Sequence, residues 1–310
     1  RLLIHFLKSN ANMKKNAMKI SKWIALLTCF CLFAANTFAQ NWPSFRGQDA
    51  AGVAEGSTLP TIWEAEKPTN IRWKTRIPGL GHASPIVWGQ RVFIATAVSG
   101  ESSAFETQTR SNAPVPESAK HSWRLYCLDI NSGRIIWEKA AHEGVPRVKR
   151  HLKASQANST PATDGKYVVA LFASEGLFCF DVEGRLLWKQ DLGILDPGLH
   201  DDAAVQWGYA SSPIIYKNFV IVQGDAHAQS FLAAFDLKDG KRVWTVERGE
   251  MPSWSTPTVY RSKQRDELIT NAPRHIRGYD PLTGKELWRF ANDELIVKVP
   301  TPFIAHGMFY

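Results

Sequence analysis

The sequence predicts an all-β fold built from repeated four-stranded antiparallel sheets, and three observations predict it. From residue 41 onward no long segment places apolar residues at helical spacing. Short β-branched and aromatic runs stand there instead, among them 86–88, 92–94, 167–169, 214–216 and 219–222, each bounded by Gly, Pro, Asn or Asp as strands between tight turns are. A motif of Asp, a turn Gly and a Trp four residues after the Gly then recurs four times, which marks the chain as repeats.

In chain order the motif is Asp129, Gly133 and Trp137; then Asp181, Gly184 and Trp188, with a turn one residue shorter; then Asp236, Gly240 and Trp244; then Asp280, Gly284 and Trp288. Upstream of the copies stand five openers of Ser or Thr followed by Pro: Ser84, Thr160, Ser212, Thr256 and Thr301. One repeat therefore reads as opener and first strand, turn, second strand, variable loop, third strand ending in Asp, Gly turn, and fourth strand carrying Trp. The Asp carboxylate is expected to accept the turn amides while Gly supplies a positive φ. A four-stranded sheet cannot bury both faces alone, so neighbouring sheets must stack. Radial stacking gives a β-propeller of four-stranded blades, four to five of them here, with each motif Trp packed between blades. Trp73 has no Asp-Gly hairpin before it and reads as a lone outer strand that completes a last blade. Residues 303–310 read as the first strand and turn of another repeat, so the propeller over residues 40–310 is expected to be incomplete at its C-terminus.

The N-terminus reads as an address. Lys19 and Lys22 precede a thirteen-residue apolar stretch, 23–35, too short to span a bilayer, and Thr37 and Ala39 suit cleavage before Gln40. Residues 18–39 are expected to be a signal peptide, with 1–17 as possible upstream translation and Met13 or Met18 as the start. Cys29 and Cys31 lie inside the apolar run rather than after it, which disfavours lipidation. The chain carries 37 Lys and Arg against 29 Asp and Glu, but six of the basic residues and no acidic one precede residue 40, so the body is nearly neutral. That removes the charge argument for a nucleic-acid partner. Cys127 and Cys179, each two residues before a motif Asp, are expected to be buried thiols in equivalent sites of adjacent blades rather than a disulfide.

The stretches Cys127–Trp137, Ala234–Trp244 and Gly278–Trp288 resemble the tryptophan-docking motif of the pyrroloquinoline-quinone (PQQ) repeat propellers. The runs 42–47 (Trp-Pro-Ser-Phe-Arg-Gly) and 73–79 look like the opening of exported PQQ-like propeller proteins. The resemblance covers about residues 41–310 and implies a ring of about eight blades. Two activities follow from it. One is a non-catalytic scaffold or binding module of the cell envelope, resembling the outer-membrane assembly propeller lipoproteins, with an envelope protein or polymer as partner. The other is a dehydrogenase of alcohols or sugars using PQQ and calcium. Catalytic members usually carry adjacent cysteines over the quinone, and this chain has no Cys-Cys pair, nor a match to their calcium ligands. The scaffold reading is therefore preferred, with no catalytic residue assigned.

Departures from the repeat are where loops could carry function. Residues 98–123 read as a surface insertion, and the basic stretch 147–153 as a solvated connection between blades. His200 and Asp201 with Trp207, and Asp225 with His227, are candidate ligand residues, since imidazole and carboxylate together bind metals or move protons. Turn capping is the alternative for both groups. No nucleophile elbow, phosphate loop or zinc spacing is present.

Overall fold

A computed structural model describes residues 41–310 except 55, 57, 65, 101–113, 116, 200 and 293–295. Residues 18–39, expected to be a signal peptide, and residues 1–17 lie outside the described residues. Four four-stranded antiparallel sheets follow one another, each with its strands in sequence order. Blade 1 comprises Ile86–Trp88, Arg91–Ser99, His121–Asp129 and Ile135–Gly144. Blade 2 comprises Ala162–Thr163, Tyr167–Leu171, Leu177–Asp181 and Leu186–Gln190. Blade 3 comprises Ile214–Tyr216, Phe219–Asp225, Ser230–Asp236 and Arg242–Glu247. Blade 4 comprises Thr258–Arg261, Asp266–Asn271, His275–Tyr279 and Glu286–Ala291. Ile304–Ala305 and Met308–Phe309 form a further hairpin after the fifth opener. Two 3-10 turns, Gln48–Ala50 and Ala173–Glu175, are the helical elements among the described residues.

Strand alternation explains why both faces of these sheets are apolar. In blade 2, Val168, Phe178 and Phe180 pack with Phe93, Leu125 and Cys127 of blade 1. Their neighbours Val169, Leu177 and Cys179 point the other way and pack with Val220, Val222 and Phe235 of blade 3. The pattern continues, with Ile221, Leu232 and Ala234 against Val259, Leu268 and Tyr279 of blade 4. Each core is therefore shared by two blades, as period-2 side-chain direction requires. Cys127 and Cys179 are buried free thiols in successive interfaces. Burial pushes the Cys127 thiol up to about 11 and that of Cys179 higher still.

The motif residues lock the interfaces. Asp129 Oδ1 accepts the amides of Asn131 and Ser132, at 3.1 and 2.8 Å, and Asp181, Asp236 and Asp280 hold their turns the same way. The turn glycines sit at φ 70, 86, 73 and 72°, in the left-handed region. Against each lies the indole of the preceding repeat: Trp137 on Gly184, Trp188 on Gly240 and Trp244 on Gly284. A Cβ on Gly240 would meet Trp188 at 2.6 Å, so the glycine is needed for the close approach as well as for its φ. Trp73 docks on Gly133 by the same rule, although it stands outside any strand. Trp73, Trp137 and Trp188 each donate Nε1–H to the carbonyl of the residue after the motif Asp, at 2.8 to 3.0 Å. Trp244 Nε1 has no partner among the described residues.

The openers form a second lock. The amide of Ser84 donates to Thr160 Oγ1, that of Thr160 to Ser212 Oγ, that of Ser212 to Thr256 Oγ1, and that of Thr256 to Thr301 Oγ1, at 2.9 to 3.2 Å. One hydroxyl per repeat thus satisfies a backbone donor of the repeat before it. Proline next in the chain presents no amide of its own there.

Three sequence expectations are corrected, the first being the lone outer strand at Trp73, which docks its indole from outside any strand. His121, Ser122 and Trp123 are buried strand residues of blade 1 rather than part of a surface insertion; most of what precedes them lies outside the described residues. The basic stretch 147–153 is not simply solvated, because Arg150 is buried and paired with Glu117 at 2.8 Å.

Candidate functional site

Each blade presents its tight turns at one end and its long connections at the other. The connections converge on a cavity of about 710 Å³ at the mouth of the central channel. His82, Asn158, Ala210, Trp254 and Val299 line it, and each stands two residues before an opener. The openers, chained by hydrogen bonds, set these five positions around the axis. Phe45, His151, Lys153 and Trp207 line it as well.

Part of this lining is positioned by Arg150. Its guanidinium, held by Glu117, donates to the carbonyls of His151, Leu152 and Ala154 at 3.0 to 3.3 Å. It therefore sets the path of the chain that presents His151 and Lys153. Trp207 lies edge-on to His151 at 6.3 Å and 5.9 Å from Trp254, the two indoles inclined by 33°. Trp254 donates Nε1–H to the Gly208 carbonyl at 2.7 Å, which fixes its ring across the cavity. Asn158 donates to Tyr209 O, and its side-chain oxygen accepts from the amide and hydroxyl of Ser155. Desolvation and the charge of Arg150 hold His82 below the ordinary imidazole range. The site offers indole faces and aliphatic walls with one lysine at the rim, a surface suited to an apolar group that bears negative charge or none.

Of the residues singled out from the sequence, Trp207 lies in this cavity. Asp201 is exposed at the turn of a small ribbon, Gly198–Leu199 with Asp202–Gln206, and His200 lies outside the described residues. Asp225 is wholly buried and accepts from Arg248 Nε at 3.0 Å, Gln223 Nε2 at 2.8 Å, Ser253 Oγ at 2.9 Å and Ser230 Oγ at 2.9 Å. This network braces blade 3 and leaves that carboxylate no free lone pair facing the channel. His227, two residues away, has a buried Nε2 without a partner among the described residues and does not line the cavity. Among the described residues no three His, Cys, Asp or Glu side chains are grouped to hold a metal ion.

A family model described as outer membrane protein assembly factor BamB matches residues 121–294, more than half of the chain. The chain belongs to this PQQ-like propeller family. Among solved structures it is similar to the quinohemoprotein alcohol dehydrogenase from Comamonas testosteroni, at 14% identity and a TM-score of 0.55 over 89% of this chain and 46% of that one. It is similar to a europium-containing methanol dehydrogenase at 12% identity and a TM-score of 0.56, over 84% and 50% of the two chains. BamB from Moraxella catarrhalis matches at 14% identity and a TM-score of 0.42, over 76% of this chain and 70% of that one. The chain spans about half the length of the two dehydrogenases, and the likeness to them is one of fold. A search of curated proteins found no match. No helix among the described residues is long and apolar enough to cross a membrane.

Proposed function

We propose that the protein is an exported, BamB-like propeller acting as a non-catalytic binding module of the cell envelope, with the channel mouth as its ligand-facing site. The carrying observation is the make-up of that mouth. Two indoles, two valines and a phenylalanine form its apolar surface beside His82, His151 and Lys153, while Asn158, Thr256 and Thr301 have their polar atoms engaged within the protein. Such a surface holds an apolar group, and the lysine at its rim favours one that carries negative charge. The family description supports an envelope partner and an exported location.

The dehydrogenase neighbours supply the alternative, a quinone and a hard cation, which this cavity would have to hold. A hard cation needs several oxygen ligands, carboxylates above all. The described residues lining the cavity include no Asp or Glu, and the one amide oxygen is taken by Ser155. The donor set does not fit the cation, and no chemical step is assigned to it. A titration with PQQ and calcium, read by absorbance and by dye reduction with alcohols and aldose sugars, tests the choice. The binding-module reading expects neither a saturable quinone spectrum nor turnover; either one sinks it.

A further inference from the structure

The segment 42–50, which contains the Trp-Pro-Ser-Phe-Arg-Gly run, belongs to none of the four blades yet touches the inner strand of most of them. Trp42 exchanges both backbone hydrogen bonds with Val87 of blade 1 at 2.8 Å. The Pro43 carbonyl accepts from the Thr163 amide of blade 2 at 2.9 Å. Asp49 pairs with Arg261 of blade 4, and the Arg46 guanidinium lies 5.3 Å over the Phe303 ring beyond the fifth opener. Of these partners, Val87, Thr163 and Arg261 stand at or next to the last residue of their inner strands, on the turn side. Arg46, Asp49 and Ala50 take φ of 60, 52 and 53°, where side-chain-bearing residues are disfavoured, so the contacts hold the strap in a conformation the free chain would leave. Beneath the strap a cavity of about 80 Å³ is bordered by Ile214, Thr258 and Arg261. Phe45 borders this cavity and the channel-mouth cavity alike.

We propose that the strap plugs the turn end of the central channel and that Phe45 is the floor of the channel-mouth pocket, setting how long an apolar ligand it accepts. The inference rests on the channel mouth being the binding site. With Phe45 in place the site opens on the loop face and ends at the benzyl ring. Without the ring the two cavities join and the site deepens.

The test pairs two anionic apolar probes, 1-anilinonaphthalene-8-sulfonate and its longer dimer bis-ANS, with amide hydrogen exchange. Wild type should bind the compact probe saturably, and Trp254→Ala should weaken this by about tenfold. Phe45→Ala should raise the preference for the dimer over the monomer by about tenfold, and Phe45→Leu by an intermediate factor that carries the test if the alanine variant does not fold. The Val87 and Thr163 amides should exchange at least about 100-fold slower than free peptide and about tenfold faster in the Phe45 variants. If the probes bind through Trp254 but their ratio moves less than about twofold in both variants, Phe45 does not set the depth, while the binding reading stands. If wild type shows no Trp254-dependent binding, the binding reading fails and the depth role with it. The plug is judged by exchange alone: unprotected Val87 and Thr163 amides overturn it, and protected ones that loosen in the Phe45 variants uphold it.

Discussion

The two ends of the blades are built on opposite principles. At the turn end the same Asp, Gly and indole recur from Gly133 to Gly284, with the glycine backbone against the ring, and only Trp288 among the described motif indoles stacks instead on a phenylalanine, Phe309. At the loop end the equivalent position, two residues before each opener, is His, Asn, Ala, Trp and Val in turn. The turn end repeats because one geometric problem, closing a hairpin while docking a ring, recurs at every blade. The loop end varies because its side chains face a shared cavity and need no common fit. Repetition marks what holds the fold together, and variation marks where a ligand can be distinguished.

Substitutions at the two ends should therefore differ in kind, and the largest effects belong to the turn end. Trp188→Ala empties a buried slot between blades 2 and 3 and should cost about 3–5 kcal/mol in urea unfolding. Gly240→Ala, which forces a Cβ into that same indole at a positive φ, should cost about 2–4 kcal/mol. Thr160→Val strands the Ser84 amide and removes one link of the opener chain, for about 1–3 kcal/mol, with faster exchange at that amide. Trp254→Ala should lower stability by only about 1 kcal/mol, because its ring is half-buried, while abolishing most probe binding. A Trp254 variant as destabilised as Trp188→Ala would erase the contrast between the ends.

The smallest effect is one of sign. At the turn end the Ser132 hydroxyl, with the turn amides, holds the Asp129 carboxyl below its ordinary range, so its contribution is present above the unfolded value near 3.8 and is lost as pH falls through the lower folded value. At the loop end burial raises Glu175 despite the Arg147 amide and His142, so the folded state binds the proton more tightly and stability falls as pH rises above 4.5. Denaturation midpoints followed from pH 3 to 7 should lose the first slope in Ser132→Ala and the second in Glu175→Gln. Slopes of the same sign would contradict the assignment.

The blades themselves were legible in the chain, because a hairpin is a local object. Asp129 caps amides two and three residues on, and Gly133 supplies the φ its own turn needs, so spacing alone announces them. The openers were visible for the same reason, although their mutual hydrogen bonds were not. The candidate cavity was almost wholly hidden. Trp207 was singled out for a neighbour, His200, that lies outside the described residues. Asp225 and His227 drew attention as polar chemistry and belong to, or lie beside, a structural network. Trp254, His82, Asn158 and Val299 share only an offset from the openers, a signal that counting back two residues from each Ser/Thr-Pro would have exposed.

Sequence by itself determined the all-β class, the repeat, the turns and the identity of the packing tryptophans, since each depends on contacts within a hairpin or on a period. Tertiary structure decided which residues meet. The openers that bond to one another are 44 to 76 residues apart, and the strap reaches from Asp49 to Arg261. Such meetings depend on how many blades intervene and how each is turned about the axis, which no local spacing encodes.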